Sequence, residues 1–138
     1  MKSIKEEKNL NNRNILLRLD LNVPLEDGKI TDTTRIDKII PTLKYLITQN
    51  AKIVIISHVG RPKGKVVKDL SLKPICEDLC KKLKQNIKLI SKNIKEISCE
   101  ELFKSNDKKI VMLENIRFYP EEEKNNHKFA KHLASLAE

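Results

Sequence analysis

A chain of 138 residues, 39% hydrophobic and 34% charged, is sized for one domain with a real core. Its longest apolar runs, Ile53–Ile56 and Ile110–Leu113, fall far short of the roughly 18 residues of a membrane span. The net charge of +9 is open to nucleic acid, an acidic membrane or a small anionic substrate. However, 23 of the 28 basic residues are lysines spread along the chain, and Lys, Ile and Asn make up 52 of 138 residues, a bias that reads as the background of an A+T-rich coding sequence.

Met1–Asn12 is polar with no apolar signal core, which predicts a cytoplasmic protein. Asn14–Asp20 reads as a strand, with apolar residues continuing to Val23. Pro24–Ile30 contains Asp27-Gly28, the mark of a small hairpin. Thr31, Asp32 and Thr33 are candidate caps for a helix over Thr34–Thr48, which is either kinked at Pro41 or starts afresh there. Lys52–Ser57 is a continuous apolar run, the pattern of a strand buried on both faces. After a loop from His58 to about Leu70, Ser71 can cap a helix whose apolar face is Leu72, Ile75, Cys76, Leu79, Cys80 and Leu83. Cys76 and Cys80 lie at i and i+4 on that face. With no further cysteine or histidine nearby they read as small core residues rather than a metal pair. With Cys99 they make an odd, irregular set, which fits a reducing compartment and no disulfide framework.

Ile87–Ile90 is a short strand, Ser98-x-x-Glu101 a capping box opening a short helix, and Ile110–Leu113 another strand. Asn125 or Asn126 caps a last helix with Phe129, Ala130, Leu133, Leu136 and Ala137 on its core face. His127 and His132, five residues apart on it, share no face and read as surface residues. Glu121-Glu122-Glu123 reads as a solvated run favouring the N-terminus of that helix. Alternating strands and helices predict an α/β fold: a parallel sheet of about four strands with helices on both faces, an incomplete Rossmann-like three-layer lobe.

Ligands of open α/β sheets bind beyond the carboxyl ends of the strands. There the first strand runs into Asp20-Leu21-Asn22, with Arg35 a little further on. The second runs into His58-Val59-Gly60-Arg61, and the last into Glu114-Asn115-Ile116-Arg117. Three of the five arginines thus meet at one sheet edge. Guanidinium groups make bidentate, charge-assisted bonds to phosphate and carboxylate, so the set suits a small polyanion. Asp20 would accept a hydrogen bond from a substrate hydroxyl. Taken singly, Asp20 could cap a turn, Arg35 could form a helix-surface salt bridge, His58 could be a core-edge residue, and Arg61 and Arg117 could be solvated. The convergence, rather than any one position, carries the functional reading. No GxxxxGK[ST] loop is present.

Four segments, in order and spacing, resemble signatures of the phosphoglycerate kinase family. They are Arg18-Leu19-Asp20-Leu21-Asn22-Val23-Pro24, Gly28-Lys29-Ile30-Thr31-Asp32 with Thr34-Arg35-Ile36, Ser57-His58-Val59-Gly60-Arg61-Pro62-Lys63-Gly64, and Leu113-Glu114-Asn115-Ile116-Arg117-Phe118-Tyr119-Pro120-Glu121-Glu122-Glu123. Ser71-Leu72-Lys73-Pro74 and the Phe129–Ala137 stretch also match. Leu21 stands where the family usually has Phe, and Val59 where it usually has Leu.

The resemblance implies phosphoryl transfer between ATP and 3-phosphoglycerate in glycolysis, by a monomeric enzyme. It implies that Asp20, Asn22, Arg35, His58, Arg61 and Arg117 hold 3-phosphoglycerate, with Arg35 stabilising the transferring phosphoryl group. The family continues with a strand, an Asn-Asp-Ala-Phe segment, an Ala-His-Arg motif and a second lobe that binds MgATP or MgADP. Residues 1–138 therefore read as one partial domain, the 3-phosphoglycerate-binding N-terminal lobe, binding no nucleotide and inactive alone. Two other readings are a non-catalytic anion-binding remnant and a basic nucleic-acid-binding domain. With only 4% aromatics and no recognition motif, neither nucleic acid nor membrane is expected as a partner.

Overall fold

The computed structural model describes residues 13–19, 25–26, 29–60, 64, 66, 68–91, 96–97, 110–120 and 127–136. Six strands are found among them: β1 (Asn14–Arg18), β2 (Leu25–Glu26), β3 (Lys29–Ile30), β4 (Lys52–Ile56), β5 (Ile87–Ile90) and β6 (Ile110–Leu113). The helices are α1 (Thr34–Thr48), α2 (Lys73–Leu83) and α3 (His127–Ser135), with short 3-10 turns at Lys68–Leu70 and Ile116–Phe118. The main sheet has the order β1-β4-β6-β5, and every pair in it is parallel. β2 and β3 form the expected antiparallel hairpin.

The apolar runs become strands because both of their faces are covered. Ile53 and Ile55 of β4 join a core with Ile36, Leu43 and Leu46 of α1 and Ile75 and Leu79 of α2. Val54 and Ile56 point the other way, into a core with Val111 and Leu113 of β6 and Phe129, Leu133 and Leu136 from the α3 region. Successive strand side chains alternate between faces, so one strand serves two cores and the three-layer α/β architecture follows.

Several local expectations need correction. β1 ends at Arg18 rather than Asp20, although Leu19 N still donates to Ile56 O (3.1 Å). α1 runs unbroken through Pro41 and does not start afresh there. Thr33 holds its cap position but makes no side-chain cap bond. Instead the Asp32 carboxylate accepts from Thr34 N (2.9 Å) and Thr34 Oγ1 (2.6 Å). Leu72, not Ser71, is the cap residue of α2. Ser71 Oγ accepts from Lys73 N (3.1 Å), and Leu72 N is taken up by the Glu114 carboxylate from the end of β6 (2.7 Å). Ala130 is exposed, because the α3 stripe needed to cover the sheet is only as wide as Phe129, Leu133 and Leu136. Cys76 is buried and Cys80 half-buried, both free thiols packed in the core between α2 and β5. His127 is exposed and His132 half-buried. The capping box at Ser98, the caps at Asn125 and Asn126, the run Glu121–Glu123, Cys99 and Ala137 lie outside the described residues.

Candidate functional site at the carboxyl edge of the sheet

A helix that joins two parallel strands runs antiparallel to them, so the first turns of α1 and α2 lie at the carboxyl edge, where the strands end. Arg35, second residue of α1, is exposed there. His58 follows β4 by two residues and Arg117 follows β6 by four; both are half-buried, and β4 and β6 are neighbours in the sheet. Of the anticipated site residues, the structure thus brings Arg35, His58 and Arg117 to one edge. Asp20, Asn22 and Arg61 lie outside the described residues.

The loops that carry His58 and Arg117 are fastened to one another. Gly64 N donates to Arg117 O (3.1 Å), and Ile116 N donates to Ser57 O (3.1 Å). Asn115 is fully buried, and its Nδ2 donates to Val59 O (2.8 Å) and Leu70 O (2.9 Å). Its Oδ1 accepts from Arg117 N (3.0 Å). The buried Ser57 hydroxyl donates to Leu19 O (2.7 Å), joining the end of β1 to the end of β4. Gly60 and Gly64 both have positive φ, +65° and +75°. A Cβ on Gly60 would stand 2.5 Å from Leu70 Cδ2, and one on Gly64 2.9 Å from Pro120 Cβ. At Gly64, facing Pro120, only glycine allows so close an approach to the loop that carries Arg117.

Glu114 shows a different use of a charged group. Its Oε1 accepts from Leu72 N (2.7 Å) and Asn115 N (2.9 Å), and its Oε2 from Ser71 Oγ (2.7 Å). It is thus spent on holding α2 to β6. Arg117 presents the opposite case: its Nε is buried and has no hydrogen-bond partner. Burying such a donor unpaired costs about 1–3 kcal/mol or more for a charged group, so an anion reaching it would be bound with that penalty relieved. Among the described residues no group of three or more His, Cys, Asp or Glu could hold a metal ion, and no helix is long and apolar enough to cross a membrane.

Comparison with known proteins decides the family. The family model described as phosphoglycerate kinase matches residues 4–138, nearly the whole chain. The chain belongs to the phosphoglycerate kinase family. Phosphoglycerate kinase of Finegoldia magna is 42% identical over 135 residues, which are 96% of this chain and 34% of that protein. That of Wolbachia pipientis subsp. Culex pipiens is 45% identical over 133 residues, covering 96% and 33%. Among solved structures, phosphoglycerate kinase from Coxiella burnetii superposes with a TM-score of 0.83 at 37% identity, over 97% of this chain and 33% of that one. The enzyme from Pyrococcus horikoshii gives 0.84 at 29% identity, covering 100% and 35%. The chain spans about a third of the length of the curated relatives it matches.

Sequence reasoning passed over the roles of Ser57, Glu114 and Asn115. Their signal was present: polar residues directly abutting strands that are otherwise apolar on both faces.

Proposed function

We propose that residues 1–138 form the 3-phosphoglycerate-binding part of a phosphoglycerate kinase, which moves a phosphoryl group between ATP and 3-phosphoglycerate. Arg117 carries the reading: a half-buried guanidinium with an unpartnered buried Nε, at the same sheet edge as His58 and Arg35. Arg117, Arg61, His58 and Asn22 bind the phosphate and carboxylate, and Asp20 accepts from the substrate hydroxyl. Arg35, on the first turn of α1, faces the group in transfer and offsets its charge. Magnesium nucleotide is assigned to the part of the family's length that this chain does not span, and no step here runs through it. The free thiols of Cys76 and Cys80 suit a reducing, cytoplasmic setting. The partner is a small anion rather than nucleic acid or a membrane, and the complete enzyme acts as a monomer.

Titration of the chain with 3-phosphoglycerate, with DNA as competitor, tests this. Each charge-assisted contact contributes roughly 1.5–3 kcal/mol, so Arg61→Ala weakens 3-phosphoglycerate binding about 10- to 100-fold. Arg13→Ala, at the amino end of β1, changes it little. Equal losses from both substitutions would mean that diffuse charge alone is at work.

A further inference from the structure

Among the described residues the buried polar side chains are two, Ser57 and Asn115, with 1% and 0% of their surface exposed. Every other residue buried as a whole there is apolar or a cysteine, and both exceptions sit at the carboxyl edge. A buried amide is tolerated only when hydrogen-bonded. Asn115 has two N–H donors and a carbonyl acceptor, and all are used: both donors go to carbonyls, Val59 O and Leu70 O, and the acceptor takes Arg117 N. Val59 stands between His58 and Gly60, so one amide ties His58–Gly60, the 3-10 turn at Leu70 and the backbone of Arg117 to each other.

We propose that Asn115 is the positioning residue of the anion site, holding Arg117 in register with His58–Gly60 while touching no substrate itself. The proposal rests on the reading of this edge as the 3-phosphoglycerate site. Full enclosure rules out direct contact with a ligand, so Asn115 acts through Arg117 and the loop. No apolar residue substitutes for it, since Val59 O, Leu70 O and Arg117 N would all lose their partner. Aspartate, close in shape, keeps the acceptor and loses both donors. A ligand bearing two anionic groups at fixed separation needs its cations at fixed separation, whereas inorganic phosphate needs only one of them.

The test uses the whole 138-residue chain as wild type, Asn115→Ser, Arg117→Ala and the double variant, each titrated with 3-phosphoglycerate and separately with inorganic phosphate. Asn115→Ser lowers 3-phosphoglycerate affinity about tenfold and phosphate affinity no more than about twofold, and in the Arg117→Ala background its effect on 3-phosphoglycerate falls to about twofold or less. A folded Asn115→Ser chain that binds like wild type, or that loses affinity equally in both backgrounds, overturns the proposal. Nuclear magnetic resonance of the same proteins separates this outcome from failure of the site reading. Asn115→Ser should move the Arg117 Nε–H and His58 ring signals and leave those of α3 in place. If wild type does not bind 3-phosphoglycerate, the site reading falls, while moved signals keep Asn115 as the brace and unmoved signals remove it. Should Asn115→Ser not fold, Asn115→Asp replaces it. The ratio of 3-phosphoglycerate to phosphate affinity then decides: a lowered ratio supports the brace and an unchanged ratio overturns it.

Discussion

Gly60 and Gly64 share a backbone conformation but not a neighbourhood. An added Cβ at Gly60 meets the end of a leucine side chain, which can turn away, whereas at Gly64 it meets the ring and Cα of Pro120, which cannot. Gly64→Ala is therefore expected to cost about 1–3 kcal/mol and Gly60→Ala less, both read from urea midpoints. The order of the two is the test, and a larger loss at Gly60 would contradict the packing. The two thiols differ in a similar way. Burial, with Cys80 beside it, pushes the Cys76 thiol up from 9.0 to about 12. In the unfolded chain that thiol ionises near 9.0, in the folded chain only near 12, so the unfolded state holds fewer protons between these values and stability falls with rising pH there. Cys76→Ala should flatten that alkaline slope, measured as urea midpoint against pH. In the native protein at neutral pH a thiol reagent should modify half-buried Cys80 before Cys76, as read by peptide mass mapping.

The elements show which features a sequence displays and which it conceals. The strands were legible because Ile53–Ile56 and Ile110–Leu113 are apolar throughout, and the helices because α1, α2 and α3 each carry an apolar stripe. That Arg35, His58 and Arg117 stand at one edge was legible because strand order brings chain segments that end in polar groups there. The caps were not. The partner of Leu72 N is Glu114, 42 residues away, and no local pattern announces a bond across that distance. Alanine misled for a related reason: Ala130 lies beside the apolar stripe of α3, and its small side chain is equally at home on either side of the boundary. Between helices, Lys82 of α2 makes an ion pair with Asp37 of α1 and a second with Asp78 at 3.1 Å. The bond from Lys82 holds the Asp37 carboxyl below 3.8, and the bond from Thr34 does the same for Asp32. A depressed carboxyl gives stability that is present above 3.8 and lost as pH falls through its folded value. The Lys82 ammonium is raised above 10.5 by Asp37, so its share is present below 10.5 and lost as pH climbs past the raised value. Asp37→Asn should weaken the dependence at both ends, with acid and alkaline urea titrations as the measurement.

On the scale of the whole molecule, β1 pairs with β4 on one side, and among the described residues no strand lies on its other side. Ile15, Leu16 and Leu17 are only half-buried although they border both cores. An open edge flanked by apolar surface invites association. The 138-residue chain is accordingly expected to be marginally stable or to self-associate, and a monomer with a sharp two-state melt in the range of about 45–65 °C would speak against this. The same chain should show no phosphoglycerate kinase activity above background, even with saturating 3-phosphoglycerate and MgATP. In-line transfer draws roughly 7–11 kcal/mol from holding both reactants together, and our assignment places only one of them here. ADP formation at an ordinary kinase rate, abolished by Arg35→Ala, would show that a nucleotide site is present after all.

The apolar character of β4 and β6 on both faces has an effect on alignment. Where one face of a strand is wet, sliding by one residue turns greasy side chains outward and is heavily penalised. Here a one-step slide of Ile53-Val54-Ile55-Ile56 merely trades one branched aliphatic for another in either layer. Hydrophobicity supplies almost no ruler along these strands. The marks that remain are Ser57, bonded to Leu19 O, and Asn115, bonded to Val59 O and Leu70 O, which fit only one alignment. The strands are thus indexed from their carboxyl ends, and any error in their alignment is smallest where His58 and Arg117 stand.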